Sequence, residues 1–120
     1  MVEIAGETVT IAASGIDRRS LRELRGERER PELTLDLHGQ RREPALRSLE
    51  LFLARARAAG KRRVLVIHGR GLGSGQSGPV LRQAVLESLA HGACAPLVLA
   101  AVSAAPGLGG PGATMVLLRK

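Results

Sequence analysis

Asp36 and His38 form the first pair of residues in this sequence whose types and spacing suit proton transfer. They stand two positions apart in an alternating segment, and on a β-strand such side chains leave the same face. A carboxylate beside an imidazole fixes its tautomer and raises its basicity, as a general acid or base requires. The alternative is an ordinary strand end at which His38 hydrogen-bonds a neighbouring backbone group.

A glycine-rich loop that runs from His68 to Gly78, just before a predicted helix, is the second such feature. Glycines let backbone N–H groups approach a ligand closely, and a helix N-terminus favours anions. The guanidinium of Arg70 is able to hold a phosphate through two hydrogen bonds. We therefore predict a phosphate-binding loop that contains Gly69, Arg70, Gly71 and Gly73. A flexible glycine linker is the alternative.

A metal site is compatible with these motifs but is not required by them. Asp36, His38 and His68 supply carboxylate and imidazole groups that bind divalent metals. The sequence has no HxxxH pair, no cysteine cluster and no run of carboxylates. The cofactor therefore stays open between none and a divalent metal such as Mg or Mn.

Positive charge is concentrated in residues 41–70. The formal net charge of the chain is +7, and this segment holds nine basic residues against two acidic ones. Such a surplus suits a polyanionic partner, of which nucleic acid is the commonest. We predict that Lys61, Arg62 and Arg63 belong to the binding surface, with Arg62 and Arg63 in contact with phosphates. The alternative is a solvated, arginine-rich helix face.

A chain of 120 residues is long enough for one domain of ordinary size and too short for two. Phe52 is the only aromatic residue, so stacking platforms for bases are missing and recognition is expected to rest on backbone charge and shape. No apolar run approaches the roughly 18 residues of a membrane span, and the first residues lack a secretory pattern. These two absences, together with Cys94 as the single cysteine, predict a cytoplasmic protein with no membrane partner.

The hydrophobic pattern from residue 32 onward switches between strand-like and helix-like periods. It predicts strands at 33–38, 64–67, 97–102 and 113–118, and helices at 43–59 and from 77 or 79 to 91. The order βαβαββ makes both βαβ crossovers parallel, while the short final connection permits an antiparallel pair. Because the first strand alternates apolar and polar side chains, we expect one polar sheet face. The predicted fold is an α/β two-layer sandwich, in which two helices cover the other face of a four-stranded mixed sheet.

Residues 1–30 differ from the rest in composition, because their six arginines and six acidic residues cancel. Two short alternating pieces at the start form either a small hairpin or a loose segment. The mixed-charge stretch that follows predicts a short amphipathic helix that ends at Pro31, with Asp17 or Ser20 as its N-cap. We interpret this part as an extension, and we expect residues 31–120 to fold without it.

Three motifs occur together in an order that resembles the small MutS-related (Smr) domain family. They are LDLHG at 35–39, VLVIHGRGLGSG at 64–75 and GGPGATMVLLRK at 109–120, with predicted helices between them. The resemblance covers residues 32–120. The segment before it is similar to the N-terminal extension of stand-alone bacterial Smr proteins.

This resemblance implies a two-layer α/β fold, binding to DNA or RNA and, for several members, endonuclease activity. It places the family's acid–imidazole pair on Asp36 and His38, and its glycine loop on His68, Gly69, Arg70 and Gly71. Metal dependence differs among members of the family, and some members only bind.

The sequence therefore predicts a bacterial endonuclease of low sequence specificity that cuts DNA or RNA, with Asp36, His38 and His68 as catalytic residues. A nucleic-acid-binding module without catalysis is the alternative, and a phosphate-recognising enzyme for a small substrate is a third hypothesis. The paired acid and imidazole favour the enzyme, because binding alone does not need them. The partner is nucleic acid, alone or within a larger nucleoprotein assembly, and the oligomeric state is left open.

Overall fold

The computed structural model of this chain describes residues 1–28, 30–70 and 78–120. Its strands are β1 (Val2–Ala5), β2 (Thr8–Ala12), β3 (Leu33–Asp36), β4 (Arg63–Ile67), β5 (Val98–Ser103) and β6 (Ala113–Leu118). Its helices are α1 (Arg18–Arg25), α2 (Arg42–Ala58) and α3 (Gly78–Ala90), in addition to short 3-10 turns. The four strands and two helices predicted from residue 32 onward are all present, with their bounds shifted by a few residues at most.

All six strands form one mixed sheet in the order β1-β2-β5-β6-β4-β3. The first crossover behaves as predicted, because β3 and β4 are parallel neighbours. The predicted direct pairing of β4 with β5 is wrong, because β6 lies between them and is antiparallel to both. An inserted antiparallel strand still leaves β4 and β5 pointing the same way, so a right-handed βαβ path is compatible with either strand order.

Two apolar clusters cover opposite faces of the sheet. On one face, α2 and α3 bury Leu49, Leu53 and Val85 against alternate residues of the strands. On the other face, α1 buries Leu24 against a second set that includes Met115. The predicted two-layer, four-stranded sandwich is therefore wrong in detail: α1 covers part of the second face, and the sheet has six strands.

The first 28 residues supply the two additional strands and the third helix. Val9 and Ile11 of β2 are buried, because β2 pairs antiparallel with β5 and places these side chains in the main core. Of the two alternatives for this segment, the structure shows the hairpin. Whether residues 31–120 fold without it stays a prediction, and the burial of these side chains makes truncation a sensitive test.

Helix α1 begins where the sequence predicts and ends earlier. The Asp17 carboxylate accepts a hydrogen bond of 2.6 Å from the Ser20 backbone N–H, which confirms Asp17 as the N-cap. The backbone N–H of Gly26 bonds to the last carbonyls of the helix, so the helix stops at Arg25 and does not extend to Pro31. Within the described part of the chain, no helix has the length and apolarity needed to cross a lipid bilayer.

Candidate acid–base and phosphate site

Asp36 and His38 form a hydrogen-bonded pair at the carboxyl end of β3. The His38 Nδ1 atom lies 2.6 Å from Asp36 Oδ1, and the same oxygen accepts a bond of 3.1 Å from the His38 backbone N–H. Both side chains are open to solvent, with 69% of the imidazole and 51% of the carboxyl exposed. The pair is therefore pre-formed and accessible to a ligand.

The protonation state of this pair follows from its geometry. The side-chain hydrogen bond from His38 lowers the pKa of the Asp36 carboxyl below its usual 3.8, so this group is ionised at neutral pH. An ionised carboxylate only accepts hydrogen bonds, so Nδ1 of His38 carries the proton that it donates. In the neutral imidazole, Nε2 is then the basic nitrogen, and it is the one left for a substrate.

The glycine loop begins beside this pair because β3 and β4 are parallel and in register. Asp36 is opposite Ile67, and the Leu37 backbone N–H donates to the Ile67 carbonyl at 2.6 Å. A Cβ atom placed on Gly69 would lie 3.7 Å from the His38 Cβ. Gly69 itself has a φ of +87°, which L side chains rarely adopt. The two motifs therefore meet at the carboxyl ends of β3 and β4, as the parallel strands of a βαβ unit require.

The His68 imidazole is turned inward and is only 1% exposed. Its Nδ1 lies 2.8 Å from the Gly69 carbonyl oxygen, which only accepts, so Nδ1 carries a hydrogen. Its Nε2, 2.8 Å from the Thr114 hydroxyl, then accepts from that hydroxyl. Burial lowers the pKa of His68 below its usual 6.5, with the nearby Arg82 charge acting in the same direction. This imidazole is neutral and fully hydrogen-bonded.

A second glycine turn, Gly110–Gly112, holds the start of the loop in place. The Gly112 carbonyl accepts hydrogen bonds from the backbone N–H groups of His68, at 3.1 Å, and Gly69, at 2.9 Å. A Cβ atom on Gly112 would lie only 3.1 Å from Cγ of Arg70. The absence of a side chain at this position therefore lets Arg70 pack directly against the turn.

Arg70 is half-exposed and forms an ion pair with Glu7, which lies in the turn between β1 and β2. Its Nη2 atom lies 2.6 Å from Glu7 Oε2. Arg82 of α3 binds the same turn, because its Nη2 donates to the Glu7 carbonyl at 2.6 Å. Its Nε donates to the Pro111 carbonyl of the second glycine turn at 3.2 Å. Two guanidinium groups therefore meet at the hairpin turn.

The other predicted phosphate contacts are not brought to this place. Arg63 begins β4 and Arg62 precedes it, so they lie about 16 and 20 Å from His68 at the usual rise per strand residue. The Arg62 Nε donates to the Leu118 carbonyl at 2.7 Å, so part of this guanidinium holds the sheet together. Gly71 and Gly73 lie outside the residues that the structure describes.

At this site, two neighbouring side chains are available to bind a metal ion. Asp36 and His38 are adjacent, whereas the His68 nitrogens are directed at Gly69 and Thr114. Across residues 1–28, 30–70 and 78–120, no three histidine, cysteine, aspartate or glutamate side chains are grouped as metal ligands. A divalent ion at this place would take two protein ligands and fill its other positions with water or phosphate oxygens.

Sequence reasoning did not single out two residues of this site, Glu7 and Arg82, whereas Gly112 and Thr114 lie in the third motif, at 109–120, without an assigned role. Thr114 carried a usable signal, because a polar residue inside the apolar strand β6 has to satisfy its hydroxyl within the core. The contacts of Glu7 and Arg82 depend on where the hairpin packs, and no local pattern in the sequence reports that.

The model of the Smr domain family matches residues 35–119, which include both motifs and the second glycine turn. This chain belongs to the Smr domain family. The match runs from the strand that carries Asp36 to the end of β6, so the predicted membership is confirmed.

Two solved structures resemble this Smr protein. YdaL, a stand-alone small MutS-related protein from Escherichia coli, is 31% identical, with a TM-score of 0.78 over 92% of this chain and 82% of that one. The Smr domain of Thermus thermophilus MutS2 is 34% identical, with a TM-score of 0.60 over 72% of this chain and 98% of that one. A comparison with curated protein sequences found no match to this chain.

The two structures differ in how much of this chain they cover. The isolated MutS2 domain leaves more than a quarter of it unmatched, whereas the stand-alone YdaL covers nearly all of it. The likeness to a stand-alone member therefore extends beyond the segment that the family model spans. This agrees with the predicted stand-alone type.

Proposed function

We propose that this protein is an endonuclease of low sequence specificity that binds nucleic acid and cuts its phosphodiester backbone. The observation that carries the proposal is the solvent-open hydrogen bond of 2.6 Å between Asp36 and His38, located beside the Gly69–Arg70 backbone. A pair built only for stability would gain little from a position with both side chains half-exposed or more. The same arrangement orients an imidazole for proton transfer.

The positive charges near this pair support a phosphate ligand. Arg41 and Arg42 are exposed at the start of α2, four residues or fewer after His38. Arg42 and Arg82 also line one groove of about 550 Å³ beside the hairpin. Arg41 and Arg42 follow His38 directly at the carboxyl end of β3, whereas Arg62 and Arg63 lie at the other end of the sheet. We therefore assign the nearest phosphate contacts to Arg70 and the two arginines at the start of α2.

With RNA as substrate, this chain's residues supply the general base and stabilise the charges that form. His38 Nε2 removes the proton of the 2′-hydroxyl, while the Asp36 carboxylate stabilises the imidazolium that forms. The 2′-oxygen bonds to phosphorus, the bond from phosphorus to the 5′-oxygen breaks, and the leaving oxygen takes a proton from solvent. Arg70 neutralises the additional charge on the phosphate oxygens. The products are a cyclic phosphate end and a 5′-hydroxyl end.

DNA closes that route, because it has no 2′-hydroxyl. Its cleavage needs an activated water, and a divalent metal would lower the pKa of that water. Asp36 and His38 would be the residues that hold such a metal. In either route His68 acts as the organiser of the loop, since its two nitrogens bind Gly69 and Thr114.

Cleavage products distinguish these routes. Labelled single-stranded RNA and labelled DNA are incubated with the purified protein, with and without EDTA, and the new ends are identified. Cyclic phosphate ends formed in EDTA support the RNA route, and metal-dependent nicks in DNA support the other. If neither polymer is cut under either condition while both are bound, the non-catalytic binding module replaces the nuclease.

A further inference from the structure

The hairpin turn places a carboxylate on the guanidinium that the proposed function assigns to phosphate. The Glu7 side chain reaches Arg70 over a separation of 63 residues in sequence, with Oε2 2.6 Å from Nη2. Carboxylate and phosphate oxygens are the two acceptors that a guanidinium binds best, and both use the same N–H groups. A phosphate that approaches this edge of Arg70 meets a position that is already filled.

Backbone contacts hold this carboxylate in place independently of its charge. The Glu7 carbonyl accepts from Arg82 at 2.6 Å, and the Thr8 hydroxyl donates to the Ala5 carbonyl at 2.8 Å. Gly6 has a φ of +63°, which suits the tight turn between the two strands. The turn therefore keeps its shape when the carboxylate is removed, and the side chain is presented to Arg70 by the fold.

The ion pair is also open enough to be exchanged. The side chains of Arg70 and Glu7 are 45% and 61% exposed. Pairs of this exposure contribute little to stability, so separating them costs little. Arg70 itself stays anchored on the other side, because its aliphatic part packs on Gly112. Among the residues that the structure describes, the group that an incoming phosphate has to displace from Arg70 is the Glu7 carboxylate.

We propose that Glu7 competes with phosphate for Arg70: it occupies this guanidinium in the free protein and is displaced by a phosphate of the bound nucleic acid. The inference rests on the proposed function, because it takes Arg70 as a phosphate contact. Displacement lowers the affinity for every ligand by the same factor. A ligand that places further phosphates on the arginines of α2 tolerates this factor, whereas a single phosphate group does not.

The test compares two variants that remove the same charge from the same hairpin. Glu7→Gln removes the competing carboxylate, and Glu3→Gln removes an exposed carboxylate of β1 that lies opposite Thr10 in the strand register, four residues before Glu7. Binding of a fluorescent oligonucleotide is measured by anisotropy at moderate salt. We expect Glu7→Gln to bind roughly two- to fivefold more tightly than the parent, the range that an exposed ion pair allows, and Glu3→Gln to bind within about 1.5-fold of it.

A second pair of variants separates this inference from the proposed function. Glu7→Ala removes the acceptor completely and is expected to bind at least as tightly as Glu7→Gln. In an Arg70→Gln background, the gain from Glu7→Gln should shrink to the value for Glu3→Gln, because the carboxylate then has no clamp to occupy. A gain that persists in this background overturns the inference, because it would reflect long-range charge alone.

Two further outcomes are decisive. If the parent binds and Arg70→Gln weakens binding, but Glu7→Gln binds no tighter than Glu3→Gln, the role of Glu7 is overturned while the phosphate clamp stands. If the parent binds neither RNA nor DNA, the proposed function fails and the inference fails with it.

Discussion

His38 and His68 stand at similar places in their motifs but one residue out of step in the strand register, and the structure treats them in opposite ways. Each follows a strand of the same parallel pair, and each precedes a glycine with positive φ, Gly39 or Gly69. His38 is 69% exposed at its side chain and is bonded to an ionised carboxylate. His68 is 1% exposed and is bonded to a carbonyl and a hydroxyl.

The difference shows that the partner of an imidazole matters as much as its position. A carboxylate partner with solvent access leaves one nitrogen of His38 free to gain or lose a proton. Neutral partners in the core hold His68 in one tautomer and make its charged form costly. The two motifs look alike in sequence, but we assign proton transfer to the first imidazole and loop organisation to the second.

The largest expected effect is the loss of cleavage when the exposed pair is changed. Asp36→Asn and His38→Ala should each slow cleavage by roughly 10²- to 10⁴-fold, the usual contribution of a positioned acid–base group. The rate of cutting is measured on labelled RNA and DNA, with circular dichroism to check folding. His91→Ala, which removes an exposed imidazole just beyond α3, is the matched control and should cut at the parent rate. If His38→Ala also cuts at that rate, the catalytic assignment is wrong.

The second expected effect is a loss of folding stability when His68 is replaced. His68→Ala should lower the free energy of unfolding by roughly 2–4 kcal/mol, because it leaves a buried cavity and strands the Thr114 hydroxyl. His38→Ala should change it by about 0.5 kcal/mol or less, as for other exposed side chains. Urea unfolding at pH 7.5 measures both. Equal losses from the two variants would contradict the contrast between them.

The third effect is the dependence of stability on pH. The pKa of His68 is depressed in the folded protein below 6.5, so the unfolded chain binds more protons in this range. Stability contributed by the neutral imidazole is therefore present above the unfolded pKa and is lost as the pH falls toward the folded pKa. The slope reaches about 1.4 kcal/mol per pH unit at most. Asp36 titrates below 3.8 and does not contribute between pH 5 and 8.

Unfolding measured between pH 5 and 8 checks this expectation. The parent should show the decline toward acid pH, and His68→Asn should lack most of it. A decline of the same slope in His68→Asn would assign the effect to another group.

The smallest expected effect tests whether the second glycine turn positions Arg70. Gly112→Ala adds a Cβ atom 3.1 Å from Arg70 Cγ, so that side chain has to shift by a few tenths of an ångström. We expect oligonucleotide affinity to fall roughly two- to threefold, about 0.5 kcal/mol. Gly26→Ala is the control, because its added Cβ meets ordinary contacts of 3.7 Å or more. Unchanged affinity in Gly112→Ala would show that Arg70 is not held by this turn.

Local patterns were sufficient to predict most elements of this fold and the core of its site. Alternation predicted β3, the helix-like period predicted α2, and the βαβ order predicted that β3 and β4 are parallel, which brings Asp36–His38 and Gly69 together. These features depend on side-chain period and on the geometry of one βαβ unit.

The failures of the sequence analysis share one cause, which is strand order. Periodicity does not report that β6 lies between β4 and β5 or that β2 joins the sheet at β5. The partners of Arg70 and His68, namely Glu7 and Thr114, are consequences of that order, since they lie 63 and 46 residues away in sequence. A prediction from spacing alone could name the two motifs but not the groups that hold or occupy them.

The placement of β6 also sets the order in which the protein acquires its site during synthesis. This strand is translated after β4 and β5 and then has to enter between them, in register with both. Until it does, Gly112 and Thr114 do not contact the segment that carries His68 and Arg70. The hydrogen bonds that hold Ile67 opposite Ala113 have not formed either. Closing this contact brings together residues 46 positions apart, which is slow compared with forming a helix. A nascent chain made beside ribosomal RNA therefore carries its arginines before it carries an organised site.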